Sequence, residues 1–127
     1  MFNAMANASL YVADQEKAKK FYTEVLGFEL FMDMPMGETR WIEVGPKGSA
    51  AHMVLYQIDS FTERYRAVVG HSQGITFTVT DMAALIAALK AKGVTISMEP
   101  QTFPWGTFAT IADDQGNQVG LHEAPKF

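Results

Sequence analysis

The sequence predicts an α+β fold built from two βαβββ modules. Both halves of the chain show the same order of patterns: an alternating strand, a helix and three further strands. Each helix follows an aspartate, Asp14 or Asp81, whose side chain can accept a hydrogen bond from a free backbone N–H of the first turn. Each ends at a glycine, Gly27 or Gly93, the residue type that commonly closes helices. An order of this length that occurs twice indicates an internal duplication.

The chain has the length and composition of one globular domain. Its 127 residues can bury a substantial core, and 48% of them are hydrophobic while 19% are charged. We therefore predict a single domain over residues 1–127, with a first module at about 1–57 and a second at about 73–127. Residues 58–72 are predicted to link the modules.

Composition also excludes several classes of function. A net charge of −4 leaves no basic face for nucleic acid. The absence of cysteine excludes disulfides, thiol catalysis and thiolate metal sites. The N-terminus lacks the pattern of a secretory signal, and no stretch reaches the roughly 20 apolar residues that span a membrane. We predict a cytoplasmic protein that binds neither nucleic acid nor membrane.

The first module begins with a strand at residues 6–12, where apolar and polar side chains alternate. Ala18, Phe21, Tyr22 and Val25 then recur at helical spacing between the capping aspartate and the closing glycine. The remaining strands are predicted at residues 28–32, 40–44 and 51–57, with residues 34–38 irregular.

The second module repeats this plan. A strand is predicted at residues 75–79, a helix at 82–92 and an extended segment at 94–98, with residues 99–104 irregular. The last hairpin joins strands 107–112 and 117–123 through a turn at residues 113–116, where aspartate side chains can bind nearby backbone amides.

Alternation along these strands divides their side chains between two faces. One set is largely polar and is expected to face a shared space: Asn7, Ser9, His52, Tyr56, Thr76, Thr78 and His122. The other set is largely apolar and is expected to face the helices: Leu10, Val12, Met53, Leu55, Phe77, Val79 and Leu121. A polar inner face is unusual for a core and predicts a binding surface.

Three segments carry a resemblance to a known family. They are YVADQEKAKKFYTEVLGF, ITFTVTDMAALIAALKAKGV and PWGTFATIADDQGNQVGLHE, which together span nearly the whole chain. The sequence resembles the vicinal oxygen chelate superfamily, which includes glyoxalase I, bleomycin-resistance proteins, fosfomycin-resistance enzymes and extradiol dioxygenases. The resemblance implies that the two modules form a curled mixed β-sheet around a cavity, with one helix packed outside each module.

The resemblance also identifies the positions that hold the metal in metal-dependent members. These positions are Asn7, Val54, Gly74 and Gly120 here. Valine and glycine side chains have no donor atom, and a neutral asparagine is a poor ligand alone. We therefore predict no cofactor and no metal at the usual centre. The minority alternative is a divalent metal at a relocated site formed by His52, Glu43 and His122, which are suitable ligand types.

The leading functional hypothesis is a glyoxalase/bleomycin-resistance-like protein that binds a small, partly apolar or aromatic molecule. The predicted ligand-binding residues are Asn7, Ser9, Trp41, Glu43, His52, Tyr56, Thr76, Trp105, Phe108 and His122. Trp105 is expected at the rim of the cavity, where an indole can stack on a flat ligand. The alternative for Trp41, Trp105 and Phe108 is that their rings fill the core.

The rival hypothesis is an enzyme, with lyase, isomerase or dioxygenase-like activity. His122 would be its catalytic residue, acting as a base near neutral pH, although a single histidine in a strand more often has a structural role. A structural protein with a collapsed cavity is the third alternative. We also predict a homodimer, because open sheets leave strand edges that a partner can cover.

Overall fold

The computed structural model of the chain describes residues 1–126. The chain forms two compact units, Met1–Val69 and a second that begins at Gly70. Each unit contains one four-stranded mixed sheet and one α-helix, so the predicted α+β class and the two βαβββ modules are confirmed. None of the helices within residues 1–126 has the length and apolar character that a membrane span requires.

The first unit has the strand order β1-β4-β3-β2. β1 and β4 are parallel, while β4, β3 and β2 run antiparallel to their neighbours. The helix α1 continues directly into one turn of π-helix, and a 3-10 helix follows the sheet. The bounds are β1 (Asn7–Val12), α1 (Gln15–Lys20), the π turn (Phe21–Val25), β2 (Glu29–Met36), β3 (Thr39–Gly45), β4 (His52–Gln57) and the 3-10 helix (Glu63–Val68).

The second unit repeats this topology with the order β5-β8-β7-β6. Its first and last strands are again parallel neighbours, and the other pairs are antiparallel. Its elements are β5 (Ser72–Thr78), α2 (Met82–Ala91), β6 (Thr95–Phe103), β7 (Gly106–Ala112) and β8 (Gln118–Glu123).

Both predicted helix caps are present. The Asp14 carboxylate accepts a hydrogen bond from the backbone N–H of Lys17 at 3.0 Å, and the Asp81 carboxylate accepts one from Ala84 at 3.1 Å. In the second unit, the buried Glu123 side chain also accepts from the backbone N–H of Met82 at 2.6 Å. The start of α2 is therefore fixed both by its own cap and by the last strand.

The core of the first unit lies between α1 and one face of its sheet. The completely buried strand residues are Leu10, Val12, Ile42, Val44 and Leu55. The buried Gln15 amide donates to the backbone carbonyls of Arg40 at 2.6 Å and Leu55 at 2.8 Å, which attaches the helix to two strands. The opposite face of the sheet is left for the polar and aromatic side chains.

The turn between β7 and β8 has the side-chain chemistry that the sequence predicts. The Asp113 carboxylate accepts from the backbone N–H groups of Gln115 and Asn117, each at 2.9 Å. The buried Asn117 side-chain oxygen in turn accepts from the backbone N–H of Gly70 at 2.7 Å. The hairpin turn and the segment before β5 are thus held together by hydrogen bonds.

The predictions that residues 34–38 and 99–104 are irregular are wrong for most of both segments. β2 extends to Met36 and β6 extends to Phe103, because the strands that follow them, β3 and β7, supply a continuous antiparallel partner. Pro35 and Pro100 are tolerated because both strands lie at the edge of their sheets, where one side of the backbone needs no partner. The register of β2 also shifts between Leu30 and Met32, an irregularity that alternation cannot reveal.

Asp33 forms a hydrogen-bonded ion-pair cluster beside α1. Its carboxylate accepts from Arg40 Nε at 2.9 Å, Arg40 Nη2 at 2.7 Å and Lys19 Nζ at 2.8 Å. The hydrogen bonds from Arg40, which have the largest effect, and the one from Lys19 hold the pKa of Asp33 well below its usual range. Because the folded-state pKa is depressed, the cluster stabilises the fold above the ordinary aspartate pKa and loses that contribution as the pH falls.

We expect Asp33→Asn to lower the free energy of unfolding by about 1 kcal/mol near neutral pH. The difference from the wild type should shrink below about pH 4, where the unfolded-state carboxylate becomes protonated. Chemical denaturation across this pH range measures the effect. Glu63→Gln is the control, since the Glu63–Arg66 pair is exposed and its loss should change little. A difference that does not depend on pH would contradict the assignment.

Candidate functional site

The strand register places the predicted inward residues of the first unit on the sheet face opposite α1. Asn7 pairs with His52, Ser9 with Val54, and Tyr11 with Tyr56 along the parallel strands β1 and β4. Glu43 pairs with Val54 across β3 and β4, so its side chain lies on the same face. Asn7 is exposed, whereas the other polar residues of this face are half-buried.

Glu43 is the centre of a hydrogen-bonded group on this face. Trp41 Nε1–H donates to Glu43 Oε2 at 2.6 Å, and His52 Nδ1 lies 2.8 Å from Glu43 Oε1. The hydrogen bond from Trp41, followed by that from His52, lowers the pKa of the Glu43 carboxyl. The carboxylate therefore stays ionised and fixes an indole and an imidazole on either side of it.

Phe31 covers the imidazole of this group. Its ring is stacked on His52 with centroids 3.8 Å apart and planes 2° apart. Gly45 leaves room for this approach, since a Cβ built there would make a tight contact of 3.3 Å with Phe31 Cε2. Phe31 was not among the predicted site residues because the register shift in β2 moves it out of simple alternation.

Further aromatic rings extend the surface away from Glu43. Trp41 meets Tyr56 edge-on, with centroids 5.8 Å apart, and Tyr56 lies 5.7 Å from Tyr11. Tyr11 stacks in turn on Tyr65 at 4.4 Å. We call the set formed by Tyr11, Phe31, Trp41, Glu43, His52 and Tyr56 the aromatic face.

Tyr11 was also absent from the predicted site, although alternation alone places it on the same face as Ser9. Burial raises the pKa of the Tyr11 hydroxyl most strongly, and the neighbouring Tyr65 and Tyr56 raise this pKa further. The hydroxyl therefore stays protonated and neutral at physiological pH.

A pocket of about 570 Å³ adjoins the aromatic face at Tyr56. It lies between the hairpin that joins β2 to β3 and the segment after β4. Its walls combine apolar and polar groups: Met36, Glu38, Thr39, Tyr56, Asp59 and Phe61. The volume is within the range of small-molecule sites.

The remaining predicted residues lie in the second unit, on the sheet face away from its buried apolar row. Thr76 pairs with Gly120, and His122 pairs with both Thr78 and Phe108. His122 Nε2 lies 2.9 Å from the backbone carbonyl oxygen of Trp105. Because a carbonyl oxygen only accepts, Nε2 carries the hydrogen of this bond, which gives His122 a structural role in this strand.

Trp105 lies in the turn between β6 and β7 and is 62% exposed. It stacks on Phe103 with centroids 4.8 Å apart and planes 2° apart. The alternative that its indole fills the core is therefore wrong. The side chains of Trp41 and Phe108 are half-buried, so neither ring is completely enclosed in the core.

Comparison with known proteins identifies the family. The model described as Glyoxalase/Bleomycin resistance protein/Dioxygenase superfamily matches residues 4–121. The chain belongs to this superfamily. Uncharacterized protein YetH of Bacillus subtilis (strain 168) is 36% identical over 126 residues, which cover 97% of this chain and 100% of YetH.

Solved structures of superfamily type show the same fold. UcmS2 is 36% identical with a TM-score of 0.81, covering 96% of this chain and 98% of its own. TnmS3, an antibiotic binding protein from Streptomyces sp. CB03234, is 32% identical with a TM-score of 0.82, covering 98% of each chain.

The residues of this chain at the superfamily's usual metal positions do not suit a metal ion. Val54 is 1% exposed and apolar, and the Gly74 and Gly120 positions carry no donor atom. A Cβ at Gly120 would lie 2.7 Å from Thr76 Oγ1 and 2.8 Å from Phe108 Cζ, so these side chains fill the space that a ligand residue would need. Within residues 1–126, no group of three or more His, Cys, Asp or Glu side chains is arranged to hold a metal ion.

Proposed function

We propose that this protein binds a small, partly apolar or aromatic molecule on the aromatic face of the first unit, without the superfamily's usual metal centre. The observation that carries the proposal is the Glu43 carboxylate, which fixes the Trp41 indole and the His52 imidazole through two short hydrogen bonds. A ring held by hydrogen bonds loses little conformational freedom when a ligand stacks on it.

The chemistry of this surface suits such a ligand. Aromatic side chains contribute large contact areas and favour offset or edge-on contacts with a flat molecule. The side chains of Glu43 and His52 are 16% and 26% exposed, so polar groups are accessible in the middle of an otherwise apolar surface. A few polar groups within an aromatic lining are typical of small-molecule sites.

The described activity of a relative supports the same class of function. TnmS3 is an antibiotic binding protein that shares the fold over 98% of this chain. The metal-free part of the proposal is supported by the donor-poor side chains at Val54, Gly74 and Gly120. The homodimer stays a prediction, which the presence of edge strands in both sheets favours.

A neutral naphthalene probe, 2-methoxynaphthalene, tests the proposal. We expect the wild-type protein to bind it with saturation, and Trp41→Ala to weaken binding by about tenfold because the indole contributes the largest ring of the surface. Isothermal titration calorimetry measures the affinity.

Phe103→Ala is the matched control, because it removes an exposed aromatic ring from the second unit. It should bind the probe like the wild type. Equal weakening by both substitutions would indicate non-specific apolar binding. The proposed function would be contradicted if the wild type bound neither this probe nor its hydroxyl analogue, 2-naphthol, with saturation.

A further inference from the structure

We propose that His52 makes the site selective for ligands with an acidic hydroxyl group, such as a phenol or an enol, by sharing that group's proton with Nε2. This inference rests on the proposed function and specifies the chemical class of its ligand. Glu43 is the positioning residue and His52 is the residue that determines specificity.

The hydrogen bond to Glu43 fixes the tautomer of His52. An ionised carboxylate only accepts hydrogen bonds, so the contact of 2.8 Å between His52 Nδ1 and Glu43 Oε1 requires a hydrogen on Nδ1. In the neutral imidazole, Nε2 is then the acceptor. The hydrogen bond made by one ring nitrogen commonly sets which nitrogen of a histidine carries the hydrogen.

The ring cannot easily turn to present its other nitrogen. Phe31 is stacked on it at 3.8 Å, and Gly45 leaves the space that this stacking needs. A half-turn of the ring would break the bond to Glu43, and the orientations between would break the stacking on Phe31. The backbone of His52 is also held, since its N–H donates to the carbonyl of Ala6 at 3.2 Å.

His52 Nε2 is available to a ligand. Among residues 1–126 it has no hydrogen-bond partner, and the side chain is 26% exposed. The Glu43 carboxylate is already engaged by Trp41 and by the other ring nitrogen. A donor on a bound ligand can therefore pair with this nitrogen.

An acidic O–H on a flat, apolar body supplies such a donor. An ether or ketone oxygen offers only lone pairs, which cannot pair with an acceptor nitrogen. A phenol or enol brings one proton. This proton forms the hydrogen bond between the ligand oxygen and Nε2, whether it is bonded to the oxygen or to the nitrogen. The aromatic rings beside His52 accommodate the rest of such a molecule.

The substitution Glu43→Gln tests the role of Glu43 because it should reverse the tautomer. The Trp41 indole can only donate, so it keeps the single amide oxygen of the glutamine. The amide nitrogen then faces His52 Nδ1, which must become an acceptor, and the hydrogen moves to Nε2. The variant should therefore prefer an acceptor on the ligand.

The experiment compares 2-naphthol with 2-methoxynaphthalene by calorimetry at one pH. We expect the wild type to bind 2-naphthol about tenfold more tightly, because the methyl ether leaves Nε2 without a partner. The preference should disappear or reverse in Glu43→Gln. In His52→Phe, which keeps a ring for Phe31 to stack on, both probes should bind with equal affinity.

Nitrogen NMR of the imidazole gives a readout that a purely structural role would not change. The hydrogen should be found on Nδ1 in the wild type and on Nε2 in Glu43→Gln. Circular dichroism confirms that each variant is folded, and the wild-type comparison does not depend on any variant.

The outcomes separate the two proposals. If the wild type binds both probes equally, the inference about His52 is wrong and the proposed function stands. If the wild type binds neither probe, the proposed function is wrong and the inference fails with it. A wild-type ring with its hydrogen on Nε2 would also overturn the inference.

Discussion

Replacing Gly106 with alanine is expected to lower the free energy of unfolding by about 3–5 kcal/mol. Gly106 is the first residue of β7 and has φ +128°, a conformation that residues with a Cβ rarely adopt. A Cβ there would lie 2.7 Å from His122 Nε2 and would overlap the backbone carbonyl of Glu123. The substitution therefore combines backbone strain with displacement of two groups in the neighbouring strand.

Gly37→Ala is the matched control for Gly106→Ala. Gly37 also has a positive φ, +63°, and lies in the equivalent turn of the first unit, but a Cβ there would meet no atom within 4 Å. Its substitution should cost only about 1 kcal/mol, the contribution of backbone strain. Guanidinium denaturation of both variants measures the difference. Equal losses would show that the crowding beside His122 contributes nothing.

Local chemistry explains why the elements could be predicted from the sequence. Asp14 and Asp81 identify the starts of both helices because capping depends on a side chain and the backbone only a few residues away. Asp113 identifies the last turn for the same reason. The duplicated order of these local signals was enough to predict two βαβββ modules.

Signals that depend on a distant partner could not be predicted in the same way. β2 and β6 continue past the predicted strand ends because β3 and β7 supply their hydrogen bonds. The shift in register after Leu30 moves Phe31 over His52, and no pattern in the sequence of β2 indicates it. Alternation gives the face of a side chain only while the pairing is regular.

The same difference between local signals and signals from distant partners applies to the candidate site. Alternation places His52 on the inward face, whereas the sequence left open whether the Trp41 ring faces the site or fills the core. The pairing of Glu43 with Val54 settles the face of β3 only in the structure. The hydrogen bonds among these side chains depend on side-chain torsions, which the sequence does not determine. His122 shows the reverse case: it was predicted as the catalytic residue, and its Nε2 bonds the backbone carbonyl of Trp105 in a turn whose path could not be foreseen. Its role as a base stays a prediction.

Gly120→Glu tests whether the second unit has room for the side chain that metal-dependent relatives place at this position. We expect the free energy of unfolding to fall by about 3–5 kcal/mol, because the first carbon of the new side chain would lie 2.8 Å from Phe108 Cζ and 2.7 Å from Thr76 Oγ1. Gly120 is buried, so the carboxylate would also be removed from water. Chemical denaturation gives the loss, and calorimetry with Zn²⁺ shows whether the variant gains metal affinity, which we do not expect.

Phe108→Ala, alone and combined with Gly120→Glu, identifies the group that excludes a side chain. Because the Phe108 ring and the new glutamate side chain compete for one space, the two substitutions should not be additive. The double variant should be more stable than Gly120→Glu alone, since the shortened side chain leaves room for the glutamate. Losses that simply add would show that Phe108 does not occupy the ligand position, and the space argument against the usual metal centre would then rest on Thr76 alone.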